Sequence, residues 1–197
     1  MPEGYVKNQY DQNKLHTNEA VEVWSETATH FVQALYELCH RHHVELTSFL
    51  DIGCRTGYAM DMMLDLWPSA HVEGIDLIPE FIKLADDAAP ARVMDMHKLE
   101  FDDEQFDCTF SCQTLEHAYD VPTALNEQFR VTKRLAFISV PCEGQDWFDR
   151  NASHYRYSQS TFAWLDHICA DRGLHWDVFY IDRYKGYLNT FFIRKPQ

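Results

Sequence analysis

Acidic residues and glycines that can hold a nucleoside stand at the ends of three successive apolar runs in this 197-residue sequence. After the first run, Gly53 and Gly57 let the backbone turn sharply and approach a ligand closely, and the amides of a following helix face that ligand. Asp76 ends the second run, where an acceptor-only carboxylate can take hydrogen bonds from both hydroxyls of a ribose. Asp95 ends the third run and can reach an adenine edge. A single aspartate of this kind is more typical of a turn, but the ordered combination predicts a nucleoside site.

Two histidines are the candidate bases, since an unperturbed imidazole titrates close to neutral pH. His117 ends the segment 111–117, which is expected to leave the fourth strand and line the opposite wall of the site. His154 stands beside Tyr155 and Arg156, in a connection that mixes aromatic and cationic side chains. The alternatives are a packing role for His117 and a structural turn at His154.

Alternating helix and strand patterns position these residues. Apolar residues from Ala20 onward recur at three- and four-residue steps, which predicts a helix of about six turns that ends in the basic run 40–43. The histidines of that run are interpreted as complementing the helix dipole, in preference to binding a metal. Further strands are predicted over residues 48–53, 71–76, 91–96, 106–111, 135–141, 175–182 and 187–195, and further helices over 58–67, 79–87, 122–132 and 160–172.

This alternation predicts an α/β fold with a Rossmann-like, doubly wound sheet of seven strands. The sheet is expected to be mostly parallel with an antiparallel last strand, and to carry helices on both faces. Ligands of such sheets bind beyond the carboxyl ends of the strands, which is where the candidate residues fall. The whole chain, 1–197, is predicted to be a single domain, with an N-terminal arm and cap helix over 1–46 and a cofactor-binding core over 47–197.

The composition of the chain disfavours several classes of binding partner. The chain has 17 lysines and arginines against 31 aspartates and glutamates, a net charge of −14 that disfavours nucleic acid and anionic membrane surfaces. The N-terminal residues include no apolar signal segment, so the six cysteines are expected to stay reduced in a cytoplasmic location. Cys108 and Cys112 have no matching second pair, and no metal site is predicted.

The motifs resemble those of class I S-adenosylmethionine-dependent methyltransferases, in the small stand-alone group whose members often modify small molecules. The resemblance covers about residues 47–197 and leaves the first 46 as a cap that varies within the family. FLDIGCRTGYAM (49–60) resembles the first motif of the family, and VEGIDLIPEFI (72–82) resembles the second. Residues 93–131 resemble the stretch that covers the third and fourth strands, including the Glu-His pair. Residues 154–174 resemble the region before the sixth strand, and the final hairpin resembles the one that contains the reversed seventh strand.

The resemblance implies S-adenosylmethionine as the cofactor and gives each matched position a role. Asp51, Gly53 and Gly57 are implied to hold the methionine part of the cofactor. The other implied contacts are Asp76 and Leu77 with ribose and adenine, Asp95 and Met96 with the adenine edge, and Cys54, Arg55 and Cys112 with the cofactor from the first turn and the fourth strand.

Arg55 departs from the family pattern, which has a glycine at this position of the first motif. Its side chain can turn outward to solvent or to an acid such as Asp61, or it can pair with the carboxylate of the cofactor. A nicotinamide dehydrogenase would need glycines at the positions of Arg55 and Tyr58, so that alternative is disfavoured.

The function implied is methyl transfer to a small-molecule acceptor by in-line displacement, in which the protein mainly orients the reactants. The acceptor pocket is expected between the helix of Trp24 and the connection 141–158, whose Tyr155 and Arg156 suit a planar or anionic molecule. Two alternatives stay open. One is a non-catalytic sensor or scaffold that binds the cofactor, which Arg55 favours, and the other is a methyltransferase acting on protein or RNA, which the net charge disfavours.

Overall fold

The helices and strands follow one another in α/β order in a computed structural model of the protein. The structure describes residues 1, 4–5, 18–85, 89–141, 176–184 and 187–194. The elements are α1 (Asn18–His42), β1 (Ser48–Ile52), α2 (Tyr58–Leu66), β2 (His71–Asp76), α3 (Pro79–Ala85), β3 (Ala91–Val93), β4 (Phe106–Cys112), a 3-10 helix (Leu115–His117), α4 (Val121–Val131), β5 (Thr132–Pro141), β6 (Trp176–Tyr184) and β7 (Tyr187–Arg194).

The strands lie in the order β3-β2-β1-β4-β5-β7-β6. The first five in this order are paired parallel, so the predicted Rossmann-like parallel sheet is confirmed for them. Beyond β5, the strand β7 is antiparallel to both β5 and β6. The chain reverses its direction of winding between β1 and β4, which leaves a crevice beyond the carboxyl ends of these two strands.

Side chains of β1 enter two different cores. Phe49 packs in a cluster with α1 and α2, to which Phe31 and Met60 contribute. Leu50, the next residue, packs in a second cluster on the other face, together with Ile75. Successive residues of a strand point to opposite faces, so the sheet has apolar side chains on both sides, as the prediction of a doubly wound sheet requires.

Two predicted strand boundaries are wrong by three residues. Strand β3 was predicted over residues 91–96 but ends at Val93, because the side chain of Asp95 accepts a hydrogen bond from the amide of His97 (3.0 Å) and starts a turn. Strand β5 begins at Thr132, three residues before its predicted start and directly after α4. The Thr132 hydroxyl donates to the carbonyl of Gln128 (2.6 Å), which joins the helix to the strand without a loop.

Two predicted features lie outside the described residues, namely the helix over 160–172 and most of the connection 141–158. Within the described part of the chain, no helix has the length and apolar character needed to cross a membrane.

Candidate functional site

An open cleft lies at the carboxyl ends of β1 to β4. Each strand or the loop that follows it supplies part of the lining, so the structure brings together residues that the sequence analysis selected one strand at a time. These lining residues are Gly53 and Arg55 after β1, Asp76 and Leu77 at the end of β2, Asp95 and Met96 after β3, and His117 after β4.

Gly53 adopts a left-handed backbone conformation (φ 83°) in the turn between β1 and α2. Its amide donates to the carbonyl of Ile75 (2.8 Å), which fixes the turn against β2. A Cβ atom at this position would lie 2.2 Å from Oγ1 of Thr114, so no other residue fits without a shift of the neighbouring loop. Thr114 belongs to the segment 111–117 that was expected to line the opposite wall, and it does line the cleft, but nothing in the local sequence predicts that it packs on Gly53.

Arg55 keeps the turn although it replaces the expected glycine. Its backbone is also left-handed (φ 49°), and its amide donates to Oδ2 of Asp76 (3.1 Å). The centre of the guanidinium lies 5.2 Å from the centroid of the Phe81 ring, within the range of a cation–π contact. The side chain therefore forms a wall of the cleft together with Phe81 of α3.

Asp76 combines burial with free acceptor capacity. Its side chain accepts hydrogen bonds from the amides of Arg55 (3.1 Å) and Ile78 (2.9 Å), and the residue is 8% exposed. Burial raises the pKa of this carboxyl above its usual value, and the hydrogen bonds from the amides offset part of the rise. A carboxylate has about four lone-pair positions, so Asp76 can accept further hydrogen bonds from a ligand in the cleft.

Asp51 is buried at the end of β1, beside Asp76 rather than in the lining of the cleft. Burial, and then the negative charge of Asp76, raise the pKa of Asp51 to about 8. Two buried carboxyls whose pKa values are raised together favour a ligand that brings positive charge. Asp51 is thus close enough to Asp76 to influence the site electrostatically, but it does not line the cleft.

Three other predicted contact residues are also absent from the described lining. Gly57 has φ 84° and is the N-cap of α2, where its amide donates to the carbonyl of Cys54 (2.9 Å). Cys54 is buried in the core and Cys112 is half-buried at the end of β4. These residues shape the two turns that bound the cleft.

Asp95 is held by three donors from the protein. Its Oδ1 accepts from the amide (3.0 Å) and Nδ1 (2.6 Å) of His97, and its Oδ2 accepts from the hydroxyl of Tyr119 (3.0 Å). Nε2 of His97 accepts from the amide of Asp120 (3.2 Å), so the proton of this ring lies on Nδ1. Burial would raise the pKa of Asp95, but these hydrogen bonds outweigh it and lower the pKa below the usual value. Asp95 is therefore a fixed anion in the wall of the cleft.

Tyr5 closes the same wall and was missed by sequence analysis, which assigned residues 1–46 to an N-terminal arm and cap helix. Its ring packs edge-on against Tyr119, with centroids 5.0 Å apart, and its hydroxyl donates to the carbonyl of His117. Both Tyr5 and His117 line the cleft. The only local signal was an aromatic residue within a polar arm.

The predicted acceptor residues are described less fully. The backbone of Trp24 lies in α1, and nothing is described of its side chain. His154, Tyr155 and Arg156 lie outside the described residues, so their predicted roles stay predictions.

Comparison with known proteins finds similarity to methyltransferases. Residues 50–140 match the family model described as a methyltransferase domain. The chain is 30% identical over 133 residues to a malonyl-[acyl-carrier protein] O-methyltransferase of Halorhodospira halophila, covering 64% of this chain and 44% of the relative. It is 29% identical over 112 residues to the enzyme of that name from Acetivibrio thermocellus, covering 55% and 39%. The chain thus spans less than half the length of these relatives.

The fold also matches solved structures. The plantazolicin methyltransferase BpumL, solved with a desmethyl analogue and SAH, superposes with a TM-score of 0.69 at 15% identity, over 97% of this chain and 90% of that one. Residues 50–140 are thus similar to a methyltransferase domain, and the chain shares its fold with a solved methyltransferase. These similarities support S-adenosylmethionine as the cofactor, and the site fits: Gly53 presents backbone without a side chain in the lining of the cleft, and the buried carboxyls complement a ligand with a sulfonium and an ammonium group.

Proposed function

We propose that this methyltransferase transfers the methyl group of S-adenosylmethionine to a small-molecule acceptor, with Asp76 holding the ribose. The observation that carries the proposal is the cleft itself, in which the turn at Gly53 and the carboxylate of Asp76 stand at adjacent strand ends. Arg55 and Phe81 form the neighbouring wall, and Asp95 with Met96 borders the side where the adenine is proposed to lie.

The main contribution of the protein is orientation. When bound, S-adenosylmethionine supplies a methyl group that is already electrophilic, because it is attached to a positively charged sulfur. Holding an acceptor in line with that methyl group can lower the barrier by about 7–11 kcal/mol at best. The rigid strand ends and the left-handed turns at Gly53 and Arg55 suit this task, because they fix one side of the reacting pair.

His117 is the proposed base for an acceptor that must lose a proton. It lines the cleft after β4, and its carbonyl is fixed by Tyr5. A base is needed only when the acceptor is a weak nucleophile such as a hydroxyl. The variant His117→Ala should then lower kcat about a hundredfold or more for a phenol, while the Kd for S-adenosylmethionine changes little. Equal losses in kcat and in cofactor affinity would support a packing role.

The proposal is tested by measuring cofactor binding and turnover separately. Calorimetry with S-adenosylmethionine and SAH gives the affinity, and the release of SAH on addition of an acceptor gives the activity. The acceptors should include malonyl-pantetheine, chosen because the curated relatives act on a malonyl group, and also a phenol and a primary amine. A folded protein that binds neither S-adenosylmethionine nor SAH would contradict the proposal.

A non-catalytic sensor or scaffold is the second candidate, and the observation that favours it is Arg55 in the wall of the cleft. Tight cofactor binding without SAH release, for every acceptor in the panel, would favour this second function.

A further inference from the structure

His97 and Tyr119 hold the carboxylate of Asp95 from two segments of the chain, the loop after β3 and the residues before α4. His97 donates to Oδ1 of Asp95 through its amide (3.0 Å) and through Nδ1 (2.6 Å). The hydroxyl of Tyr119 donates to Oδ2 (3.0 Å). Asp95 is in the described lining of the cleft, and the two residues that hold it are not. The cleft thus contains a carboxylate whose orientation is set by side chains outside the lining.

The imidazole of His97 is itself held in place. Its side chain is 3% exposed, and its ring stacks on that of Tyr119, with centroids 3.6 Å apart and the planes 20° from parallel. Its Nε2 accepts from the amide of Asp120 (3.2 Å), which is the N-cap residue of α4. Because both ring nitrogens are in hydrogen bonds and one face is covered, the ring cannot turn without breaking these contacts. His97 therefore fixes the Asp95 carboxylate in one orientation.

These hydrogen bonds leave Asp95 a single acceptor position. A carboxylate has about four lone-pair positions, two on each oxygen. His97 occupies both positions on Oδ1, and Tyr119 occupies one on Oδ2. Burial opposes the ionisation of Asp95, but the same donors outweigh it and keep the pKa below its usual value, so the carboxylate carries no proton at neutral pH. A ligand group that meets Oδ2 must therefore bring a donor.

The 6-amino group of adenine is such a donor, whereas the 6-oxo group of hypoxanthine is an acceptor. An oxo group placed against Oδ2 of Asp95 would bring two sets of lone pairs together without a proton between them. A site built on a hydrogen bond from an N–H group rejects an analogue without that group far more strongly than an apolar pocket rejects a change of size. The fixed carboxylate can therefore distinguish the two bases, provided that it is kept from turning away.

We propose that His97 and Tyr119 are positioning residues that act through Asp95 to make the site selective for a 6-amino purine over a 6-oxo purine. This inference rests on the proposed function, in which Asp95 borders the adenine. His97 has the larger part, because its side chain makes the shortest of the three hydrogen bonds (2.6 Å) and stacks on Tyr119. Neither residue has to touch the cofactor, so their effect appears in the choice of base and not in contacts to the rest of the ligand.

The test measures by calorimetry how the full chain binds SAH and two analogues of it, one with a 6-oxo group and one with only hydrogen at position 6. The parent should bind SAH about a hundredfold more tightly than the 6-oxo analogue. The 6-hydrogen analogue lacks the donor but brings no opposing oxygen, so its affinity should fall between the two. Equal affinities for SAH and either analogue would overturn this inference alone. A folded protein that binds neither SAH nor S-adenosylmethionine would instead contradict the proposed function.

Three variants separate positioning from packing. His97→Leu removes the Nδ1 donor, so the preference for SAH over the 6-oxo analogue should fall about tenfold, with SAH binding more weakly and the analogue no more weakly than before. His97→Asn keeps a side-chain donor and should restore part of the preference. Tyr119→Phe keeps the stacked ring and should lose less of the preference than His97→Leu. Packing damage alone would weaken both ligands by the same factor, and an unchanged preference in His97→Leu and Tyr119→Phe would overturn the inference.

His71 provides the matched control, because it is also a histidine beside a carboxylate. Its Nε2 lies 3.1 Å from Oε1 of Glu73, but its side chain is 56% exposed at the start of β2 and outside the described lining of the cleft. The variant His71→Leu should leave the affinities for SAH and the 6-oxo analogue unchanged. If it reduced the preference as much as His97→Leu does, the effect would come from a general loss of a histidine–carboxylate pair and the inference would fail.

Discussion

Buried carboxyl groups lie at both ends of the parallel strands, and their surroundings are opposite. The amino ends of the strands form the amino edge of the sheet, and the carboxyl ends form its carboxyl edge. Asp107, at the start of β4, accepts hydrogen bonds from the amide (2.9 Å) and the hydroxyl (2.7 Å) of Thr47, and Arg134 (3.3 Å) and Lys133 (3.9 Å) lie beside it. Burial acts to raise the pKa of Asp107, but these groups together lower it below its usual value. At the carboxyl edge, the pKa of Asp51 is instead raised to about 8.

A buried aspartate can therefore either stabilise the fold or contribute to a ligand site. Asp107 is as buried as Asp51 or Asp76, with 5% exposure against 3% and 8%. At the amino edge the protein itself supplies hydrogen-bond donors and cations to Asp107, so this carboxylate stabilises the fold and needs no ligand. At the carboxyl edge the cost of burying the carboxyls is offset less completely, which favours a ligand that brings positive charge.

The largest effect is expected from removing the carboxylate at the amino edge. Asp107→Ala should lower the free energy of unfolding by about 3 kcal/mol, because it removes two hydrogen bonds to a charged group and leaves Thr47 unpaired. The Kd for S-adenosylmethionine should not change. Chemical denaturation and calorimetry measure the two quantities, and a loss of cofactor affinity in a folded protein would contradict the separation of the edges.

The pH dependence of this effect has a definite sign. The pKa of Asp107 is depressed in the folded protein, so its stabilisation is present above the unfolded pKa of about 3.9 and is lost as the pH falls through the folded pKa. The difference in stability between the parent and Asp107→Asn should therefore shrink below about pH 4.

Asp76→Ala should give the reverse result at the carboxyl edge. Hydrogen bonds to a charged group contribute about 1.5–3 kcal/mol each, so the affinity for S-adenosylmethionine should fall about tenfold or more. Calorimetry measures the change, and the melting curve checks the fold, since Arg55 and Ile78 lose their acceptor. Unchanged affinity in the folded variant would remove the ribose role from this carboxylate.

Asp51 should respond to the charge of the cofactor. Its pKa of about 8 means that it is mostly protonated at pH 7 in the free protein, and the arrival of a cation lowers that pKa. Binding should thus release up to about one proton and strengthen as the pH rises toward 8. Calorimetry in two buffers of different ionisation enthalpy measures the proton release. The matched variant Asp51→Asn should lose this part of the release, and an unaltered proton count would contradict the prediction.

The smallest effect is expected from Arg55→Gly. If Arg55 pairs with the carboxylate of the cofactor, this ion pair at a partly exposed site contributes at most about 1 kcal/mol. Its removal should therefore raise the Kd for S-adenosylmethionine severalfold. Screening should reduce the difference as the salt concentration is raised. Much tighter binding by the variant would instead identify Arg55 as an obstruction and favour the sensor or scaffold.

The sequence by itself determined the framework of this protein and one half of its site. Strand periodicity and the glycines of the first turn are local signals, and they located Gly53, Asp76 and Asp95 at successive strand ends before any packing was known. Boundaries were less certain, because β3 ends through a side-chain hydrogen bond of Asp95 that competes with the strand.

Only the tertiary structure decided which residues complete the cleft. Tyr5 meets a carbonyl 112 positions away, and Thr114 limits the space at Gly53, contacts that no periodic pattern carries. The raised pKa of Asp51 and of Glu116 has the same origin, since burial and neighbouring charges are set by packing rather than by the residue type. An aspartate is a structural carboxylate at position 107 and lines the cleft at position 76, because only the fold decides which donors and cations surround each of them.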